Sequence, residues 1–143
     1  MRALVVDDSR AMRTILTRIL RKAGAEEVGQ AGDGLEAISY LKNSDDLPDV
    51  ALVDWNMPNM NGLDLVVALR HRTEWRRIAV VMCTTENEHK QVVRALAAGA
   101  HDYLIKPFDE SALIEKLAIL GFDMPEPPVP TALVDYSAGG TLS

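Results

Sequence analysis

Carboxylate, hydroxyl and ammonium side chains follow four separate apolar runs of the sequence. These residues are Asp7 and Asp8 after "ALVV", Asp54 after "VALV", Thr84 and Thr85 after "IAVVMC", and Lys106 after "DYLI". Three carboxylates that come together repel one another unless a cation or a shared proton offsets their charge. Their oxygen atoms suit Mg²⁺, and a carboxylate can also accept a phosphoryl group covalently. If the four run ends meet, the sequence predicts a phosphoryl-transfer site with Asp54 as its nucleophile.

Lys106 and Thr84 have complementary predicted roles at such a site. The ammonium group can hold a carboxylate in the empty site and a phosphoryl oxygen in the occupied one, and the hydroxyl can donate to that same oxygen. Each residue also has an ordinary structural interpretation, because acids and threonines before a helix are commonly N-caps and a lysine is commonly solvated. Because the residues after four separate apolar runs all suit the same phosphoryl-transfer site, the sequence favours that site over the ordinary structural interpretation.

The elements that must position these residues are predicted from hydrophobic periodicity. Short apolar runs alternate with helix-period segments five times, which indicates a (βα)5 unit, an α/β fold with a doubly wound parallel sheet. Strands are predicted at 3–7, 27–31, 50–54, 78–83 and 102–106. Helices are predicted after Ser9 or Asp8 as far as Gly24, and near 35–43, 63–72, 88–98 and 109–120. Such folds bind ligands at the carboxyl ends of their strands, where the polar run ends would lie.

Length and composition restrict the class of protein. The 143 residues suit one domain, and a net charge of -6 argues against direct DNA binding, which needs a basic surface. We expect a domain at 1–121 and, because four prolines follow, an extended tail at 122–143 in which "TALVDY" could alternatively form a strand or docking peptide. No apolar run approaches the roughly 20 residues of a membrane helix and no signal peptide is evident, which predicts a cytoplasmic protein without membrane contact.

Other reactive side chains have unremarkable predicted roles. Cys83 is the single cysteine and lies in an apolar run, so we predict a buried thiol rather than a disulfide or thiolate-metal site. His71, His89 and His101 share no motif and are predicted to lie on the surface. The basic stretch "RHRTEWRR" at 70–77 is predicted to be a solvated helix end and loop.

Four motifs carry a resemblance to a known family: "VVDDS", "LVDWNMPNMNG", "MCTTE" and "ALAAGAHDYLIKPF". Over about residues 2–121 the sequence resembles the receiver domains of bacterial response regulators, and among these the single-domain chemotaxis regulators. The resemblance implies a flavodoxin-like strand order, 2-1-3-4-5, and a cis bond between Lys106 and Pro107. It also implies a two-component switch in which a histidine kinase, or a small acyl-phosphate donor, phosphorylates Asp54.

The same resemblance implies a ligand set and an output surface. Asp8, Asp54 and the backbone carbonyl of Asn56 would bind Mg²⁺, with Asp7 acting through water, and Lys106 would contact the phosphoryl group. Helix 4, strand 5 and helix 5 would bind a downstream protein. The chain would act as a monomer or as a phosphorylation-dependent homodimer.

Residues around the phosphoryl group carry further implied roles. Thr84 would be the switch hydroxyl, and Tyr103 the aromatic residue that changes rotamer as Thr84 moves inward. Asn56 and Glu86 stand where the family tunes phosphoryl loss, and the pair is similar to that of fast-resetting chemotaxis regulators. Thr85 replaces the small residue usual in the family and is expected to restrict the entry of water and phosphodonors.

Two other classes of protein use related sites. An aspartate-nucleophile phosphohydrolase of the haloacid dehalogenase type needs a second acid two positions after its nucleophile, where Asn56 stands, and a substrate cap for which the chain is short. A flavodoxin would meet carboxylates in "DDSRAM" where its flavin phosphate should bind. The sequence therefore favours a switch that promotes only its own phosphorylation and dephosphorylation. A phosphorelay intermediate and a receiver of a longer regulator remain alternatives to a stand-alone chemotaxis-type regulator.

Overall fold

Five parallel strands form one sheet in the order β2-β1-β3-β4-β5 in the computed structural model, which describes residues 1–122. The strands are β1 Arg2–Val6, β2 Glu27–Ala31, β3 Val50–Val53, β4 Ala79–Thr84 and β5 Asp102–Ile105. The helices are α1 Arg10–Lys22, α2 Gly34–Lys42, α3 Gly62–His71, α4 His89–Ala98 and α5 Glu110–Ile119, with a short 3-10 helix at Thr73–Trp75. The predicted fold class and strand order are confirmed, and the 3-10 helix is an addition to the prediction.

The remaining sequence-based expectations are only partly covered by this structure. Of the predicted tail at 122–143, residues 123–143 lie outside the described part, and so does "TALVDY". Within residues 1–122, no helix has both the length and the apolar character needed to cross a membrane. The Lys106 to Pro107 peptide bond is cis, as the resemblance implied.

Side-chain caps place the helices directly after the loops at the strand ends. The Ser9 side chain accepts a hydrogen bond from the Met12 amide at 3.1 Å, and the Asp109 side chain accepts one from the Ala112 amide at 2.9 Å. Such bonds satisfy amides that have no partner inside the helix. Because Ser9 is the cap of α1, the two acids before it remain available for another role.

The hydrophobic core lies on both faces of the sheet. Alternate residues of a strand point to opposite faces, so Leu4 and Val6 pack with one buried cluster while Ala3 and Val5 pack with another. The first cluster contains buried residues of α2, α3 and α4, and the second contains those of α1 and α5. Burial on both faces explains why β3 and β4, and β1 after its first residue, read as continuous apolar runs, whereas β2 at the edge of the sheet is more exposed and more polar. Cys83 is 1% exposed in the second cluster, as predicted.

The register of the strands places the polar residues that follow them at the same edge of the sheet. Val6 of β1 is aligned with Val53 of β3, and Thr84 of β4 is aligned with Ile105 of β5. The Asp54 amide then donates to the Val6 carbonyl at 2.9 Å, and the Lys106 amide donates to the Thr84 carbonyl at 2.8 Å. The residue that follows each strand is thereby held at the carboxyl edge of the sheet.

Candidate functional site

Three carboxylates meet at the carboxyl edge of the sheet. Oxygen atoms of Asp7, Asp8 and Asp54 all lie within 4.8 Å of one another. Asp7 is 1% exposed, whereas Asp54 is half-buried and Asp8 is exposed. The cluster is therefore anchored in the protein on one side and open to solvent on the other.

The Lys106 ammonium group bridges two of these acids. Its Nζ lies 2.6 Å from Asp7 Oδ2 and 3.4 Å from Asp54 Oδ2. Burial by itself lowers the pKa of Lys106, but the hydrogen bond that Lys106 donates to Asp7 and the negative charges of Asp54 and Asp7 outweigh it and leave the pKa raised. The lysine is thus a cation held against acids, which rules out its interpretation as a solvated side chain.

The acidic cluster around Lys106 keeps a net negative charge that a further cation could offset. The cluster contains three carboxylates, and the one ammonium group contacts two of them, so negative charge remains that Lys106 does not offset. Hard divalent ions prefer such oxygen donors, and Mg²⁺ needs only one or two carboxylates beside water and phosphate oxygens. The acidic cluster fits the Mg²⁺ predicted for it.

Backbone groups hold Asp7 and Asp54 in place. The Ser9 amide donates to Asp7 Oδ1 at 2.9 Å, and the Trp55 amide donates to Asp54 Oδ1 at 2.7 Å. The Gly62 amide in turn donates to the Trp55 carbonyl at 2.8 Å. A Cβ atom on Gly62 would lie 2.1 Å from the Asp54 carbonyl oxygen, so only glycine permits this close approach of the loop.

Thr84 and Tyr103 form a second group, because both side chains bond the backbone of Glu86. Thr84 is fully buried, and its Oγ1 lies 3.4 Å from the Glu86 amide, which donates to it. Tyr103 is 9% exposed, and its hydroxyl donates to the Glu86 carbonyl at 2.7 Å. Burial, together with the charges of Glu86 and Asp54, raises the pKa of Tyr103 to about 12. The tyrosine ring therefore points inward in this structure and is held by the segment that follows β4.

The residues implied to tune phosphoryl loss lie at the rim. Asn56 Nδ2 donates to Glu86 Oε2 at 2.8 Å, which links the loop after β3 to the loop after β4. Thr85 is exposed. Helix α4 begins after Glu88, so neither Thr84 nor Thr85 is its N-cap, contrary to their ordinary structural interpretation.

Several contacts at the site were missed by the sequence analysis. Asn59, with a φ of 66°, donates through Nδ2 to Asp33 Oδ2 at 2.7 Å, and the Gly34 amide donates to the Met60 carbonyl at 3.1 Å. Hydrogen bonds from the Glu36 amide and from Asn59 lower the pKa of Asp33. These contacts fix the loop after β3 to the start of α2. The spacing of Asp33 and Glu36 is a capping signal, but nothing local in the sequence pairs Asp33 with Asn59.

The histidines lie away from the acids. His71 and His89 are exposed, as predicted, and His101 is exposed overall although its Nδ1 accepts a hydrogen bond from the Val80 amide at 3.1 Å. Burial and the charge of Arg70 lower the pKa of His101. Arg70 departs from the solvated role predicted for it, because its guanidinium donates to the backbone carbonyls of Arg76, Ile78 and Gly99.

Comparisons with known proteins agree with this geometry. The family model described as "Response regulator receiver domain" matches residues 3–118. Chemotaxis protein CheY1 of Helicobacter pylori is 43% identical over 120 residues, which are 84% of this chain and 96% of that protein. The structure of the chemotaxis response regulator CheY4 of Vibrio cholerae is 34% identical, with a TM-score of 0.76 over 83% of this chain and 97% of that one. CheY in the CheX-CheY-BeF3-Mg complex of Borrelia burgdorferi is 25% identical, with a TM-score of 0.79 over 86% and 90% of the two chains.

Proposed function

Because the chain belongs to the family of response regulator receiver domains, we propose that it is a chemotaxis-type two-component regulator, switched by phosphorylation of Asp54. The observation that carries the proposal is the placement of Asp54 beside Lys106 and within 4.8 Å of two further carboxylates. The assignment to chemotaxis is supported by relatives of 40 to 43% identity that are chemotaxis proteins.

The proposed transfer uses the half-buried Asp54 carboxylate as nucleophile. One of its oxygens forms a bond to phosphorus while the bond from phosphorus to the donor, a kinase phosphohistidine or an acyl phosphate, breaks and leaves the donor's electron pair with the leaving group. Asp8, Asp54 and the Asn56 carbonyl would hold Mg²⁺, with Asp7 acting through water. The ion would offset negative charge during transfer. Lys106 already lies within reach of Asp54 and would pair with a phosphoryl oxygen.

The proposed switch lies in Thr84 and Tyr103. A phosphoryl group adds charge and strong acceptor oxygens, and the Thr84 hydroxyl is a buried donor at the end of β4. If Thr84 moves toward the phosphoryl group, its weak contact with the Glu86 amide at 3.4 Å is lost. Tyr103 is bonded to the same residue, so the segment after β4 and the tyrosine would shift together.

A downstream protein would bind the surface formed by α4, β5 and α5. Large apolar side chains are exposed on each of these elements: Val93 and Leu96 on α4, Ile105 on β5 and Ile119 on α5. Their exposed fractions range from 42 to 75%, which suits an interaction surface. In this proposal the same surface binds the downstream protein when the chain is a monomer, or a second copy when phosphorylation produces a homodimer. A cytoplasmic location remains a prediction.

The phosphohydrolase alternative lacks a necessary group. Asn56, two positions after Asp54, uses its amide to bond Glu86 and offers no carboxyl proton. A receiver does not need this second acid, because it loses only its own phosphoryl group and does not hydrolyse an outside phosphate ester. If the purified chain hydrolysed p-nitrophenyl phosphate for many turnovers, the alternative would be favoured instead.

Intact-protein mass after incubation with acetyl phosphate and Mg²⁺ tests the proposed function. The wild type should gain about 80 Da, the mass of one phosphoryl group, and Asp54→Asn should gain nothing. Asp45→Asn is a matched control, because Asp45 is exposed and is not part of the acidic cluster. A normal gain of mass in Asp54→Asn would refute the assignment of the phosphoacceptor.

A further inference from the structure

Among the five α-helices of residues 1–122, α4 has the fewest fully buried residues. Only Ala95 of its ten residues is fully buried, and Glu88 at its N-cap makes no side-chain capping bond. Val93 and Leu96 are exposed by 49% and 44%. A helix with so few buried contacts is held weakly and responds readily to small changes at its attachments.

One attachment of α4 is to the residue that follows Asp54. The Cζ atom of Arg94 lies 5.8 Å from the centroid of the Trp55 ring, within the range of a cation-π interaction. Trp55 is 7% exposed and belongs to the same buried cluster as Ala95. Among residues 1–122, no carboxylate forms an ion pair with Arg94, which bonds only Gln91 on its own helix.

Trp55 is joined to the phosphoacceptor by a direct bond. Its amide donates to Asp54 Oδ1 at 2.7 Å, and its carbonyl accepts from Gly62 at the start of α3. A change of charge on the Asp54 carboxyl group therefore alters the strength of a bond to the residue whose ring lies beneath Arg94. This connection runs on the β3 side of the site and does not include Thr84 or Tyr103.

We propose that Arg94 is a positioning residue that couples the charge state of Asp54 to helix α4 through the Trp55 ring. This inference rests on the proposed function, because it needs phosphorylation of Asp54 as its input. It adds a second attachment between the phosphoacceptor loop, residues 54–61, and the α4 side of the molecule, beside the bond from Asn56 to Glu86. Since Arg94 is exposed and lies outside the acidic cluster, its removal should leave phosphoryl transfer intact.

The test measures hydrogen exchange of the α4 backbone amides in the full chain, before and after labelling with acetyl phosphate and Mg²⁺. Arg94→Ala is compared with wild type, with the conservative Arg94→Lys and with Lys90→Ala. Lys90 is a matched control, because it is an exposed cation on α4 and its ion pair is with Glu88 just before the helix. Intact mass, measured on the same samples, reports the extent of labelling for each variant.

The expected results separate coupling from simple stabilisation. Loss of the cation-π contact should speed α4 exchange in unlabelled Arg94→Ala by about two- to fivefold. Labelling should change α4 exchange in wild type, Arg94→Lys and Lys90→Ala, and most of that change should be absent in Arg94→Ala although its mass gain is normal. A purely structural Arg94 would alter exchange in both states equally and leave the difference unchanged.

Three results would overturn the inference. One is a labelling response of α4 in Arg94→Ala that equals the wild-type response, and another is an equal loss of response in Lys90→Ala. The third is a labelled wild type whose α4 exchange does not change. Failure of the wild type to gain mass would instead refute the proposed function, and the role of Arg94 with it.

Discussion

Replacement of Lys106 by methionine should reveal how strongly the acidic cluster depends on its internal cation. The substitution keeps a side chain of similar length but removes the ammonium group that lies 2.6 Å from Asp7 and 3.4 Å from Asp54. The Asp7 side chain is 2% exposed, and those of Lys106 and Asp54 are each 12% exposed. Asp7 would therefore lose its charged partner in a place that water scarcely reaches.

The magnitude follows from burial. Removal of one partner from a buried ion pair costs about 3–5 kcal/mol, because the remaining charge is left uncompensated. The solvent-facing side of the cluster, where Asp8 is exposed, favours the lower end, about 3 kcal/mol. For a domain of this size such a loss corresponds to a decrease in Tm of roughly 10 °C.

Urea unfolding in EDTA measures this loss, and Lys116→Met provides the control. Lys116 Nζ lies 3.0 Å from Asp102, but the two side chains are 30% and 26% exposed. A more exposed pair of this kind is worth about 0.2–1 kcal/mol. The same chemical change should thus cost at least about three times as much at Lys106 as at Lys116.

Magnesium provides a second readout on the same variants. A ligand at 100 times its Kd stabilises the folded state by about 2.7 kcal/mol, and the cluster without Lys106 should bind the ion more tightly than the wild type does. Saturating Mg²⁺ is therefore expected to narrow the stability gap between wild type and Lys106→Met and to leave the Lys116→Met gap unchanged. The reasoning fails if Lys106→Met is no less stable than Lys116→Met in EDTA, or if Mg²⁺ widens the gap.

Two further predictions concern the backbone near the site and a histidine at the far end of β5. Gly62→Ala would place a Cβ 2.1 Å from the Asp54 carbonyl oxygen, so we expect a loss of about 1–3 kcal/mol in urea unfolding; unchanged stability would contradict the close approach. Burial and the charge of Arg70 lower the pKa of His101, and the neutral ring accepts a hydrogen bond from the Val80 amide. The neutral ring therefore stabilises the fold fully above about pH 6.5, the usual pKa of an unfolded histidine. This contribution is lost as the pH falls toward the lowered pKa of the folded state. The stability advantage of wild type over His101→Phe, measured by urea unfolding, should therefore shrink between pH 7.5 and 5.5; a constant advantage would contradict it.

Local patterns in the sequence were sufficient to predict the strands and the residues that end them. Strands β1, β3 and β4 are buried on both faces and therefore read as apolar runs. A polar residue directly after such a run must lie at the carboxyl edge of a parallel sheet. For that reason Asp7, Asp54 and Lys106 could be placed together although they are far apart in the chain. Caps at Ser9 and Asp109 were equally predictable, because their bonds join residues three positions apart.

Contacts between side chains of different loops were not predictable in this way. The bond from Asn59 to Asp33 and the stacking of Arg94 on Trp55 join residues 26 and 39 positions apart, counted from their numbers, and neither has a local pattern. Arg70 was predicted to be solvated because it lies in a basic run, yet the structure places it against carbonyls of two other segments.

The sequence by itself thus determined the alternation of strands and helices along the chain, the acidic cluster and its lysine, since these follow from periodicity, burial and charge, whereas the order of the strands in the sheet was implied only by the family resemblance. Only the tertiary structure decided that Tyr103 points inward and bonds the Glu86 carbonyl, that Asn56 pairs with Glu86, and that Arg94 rests on Trp55. The physical reason is that a hydrogen bond or an aromatic contact requires a separation of a few ångströms. That separation is set by the packing of helices on the sheet and leaves no periodic trace in the residues that form it.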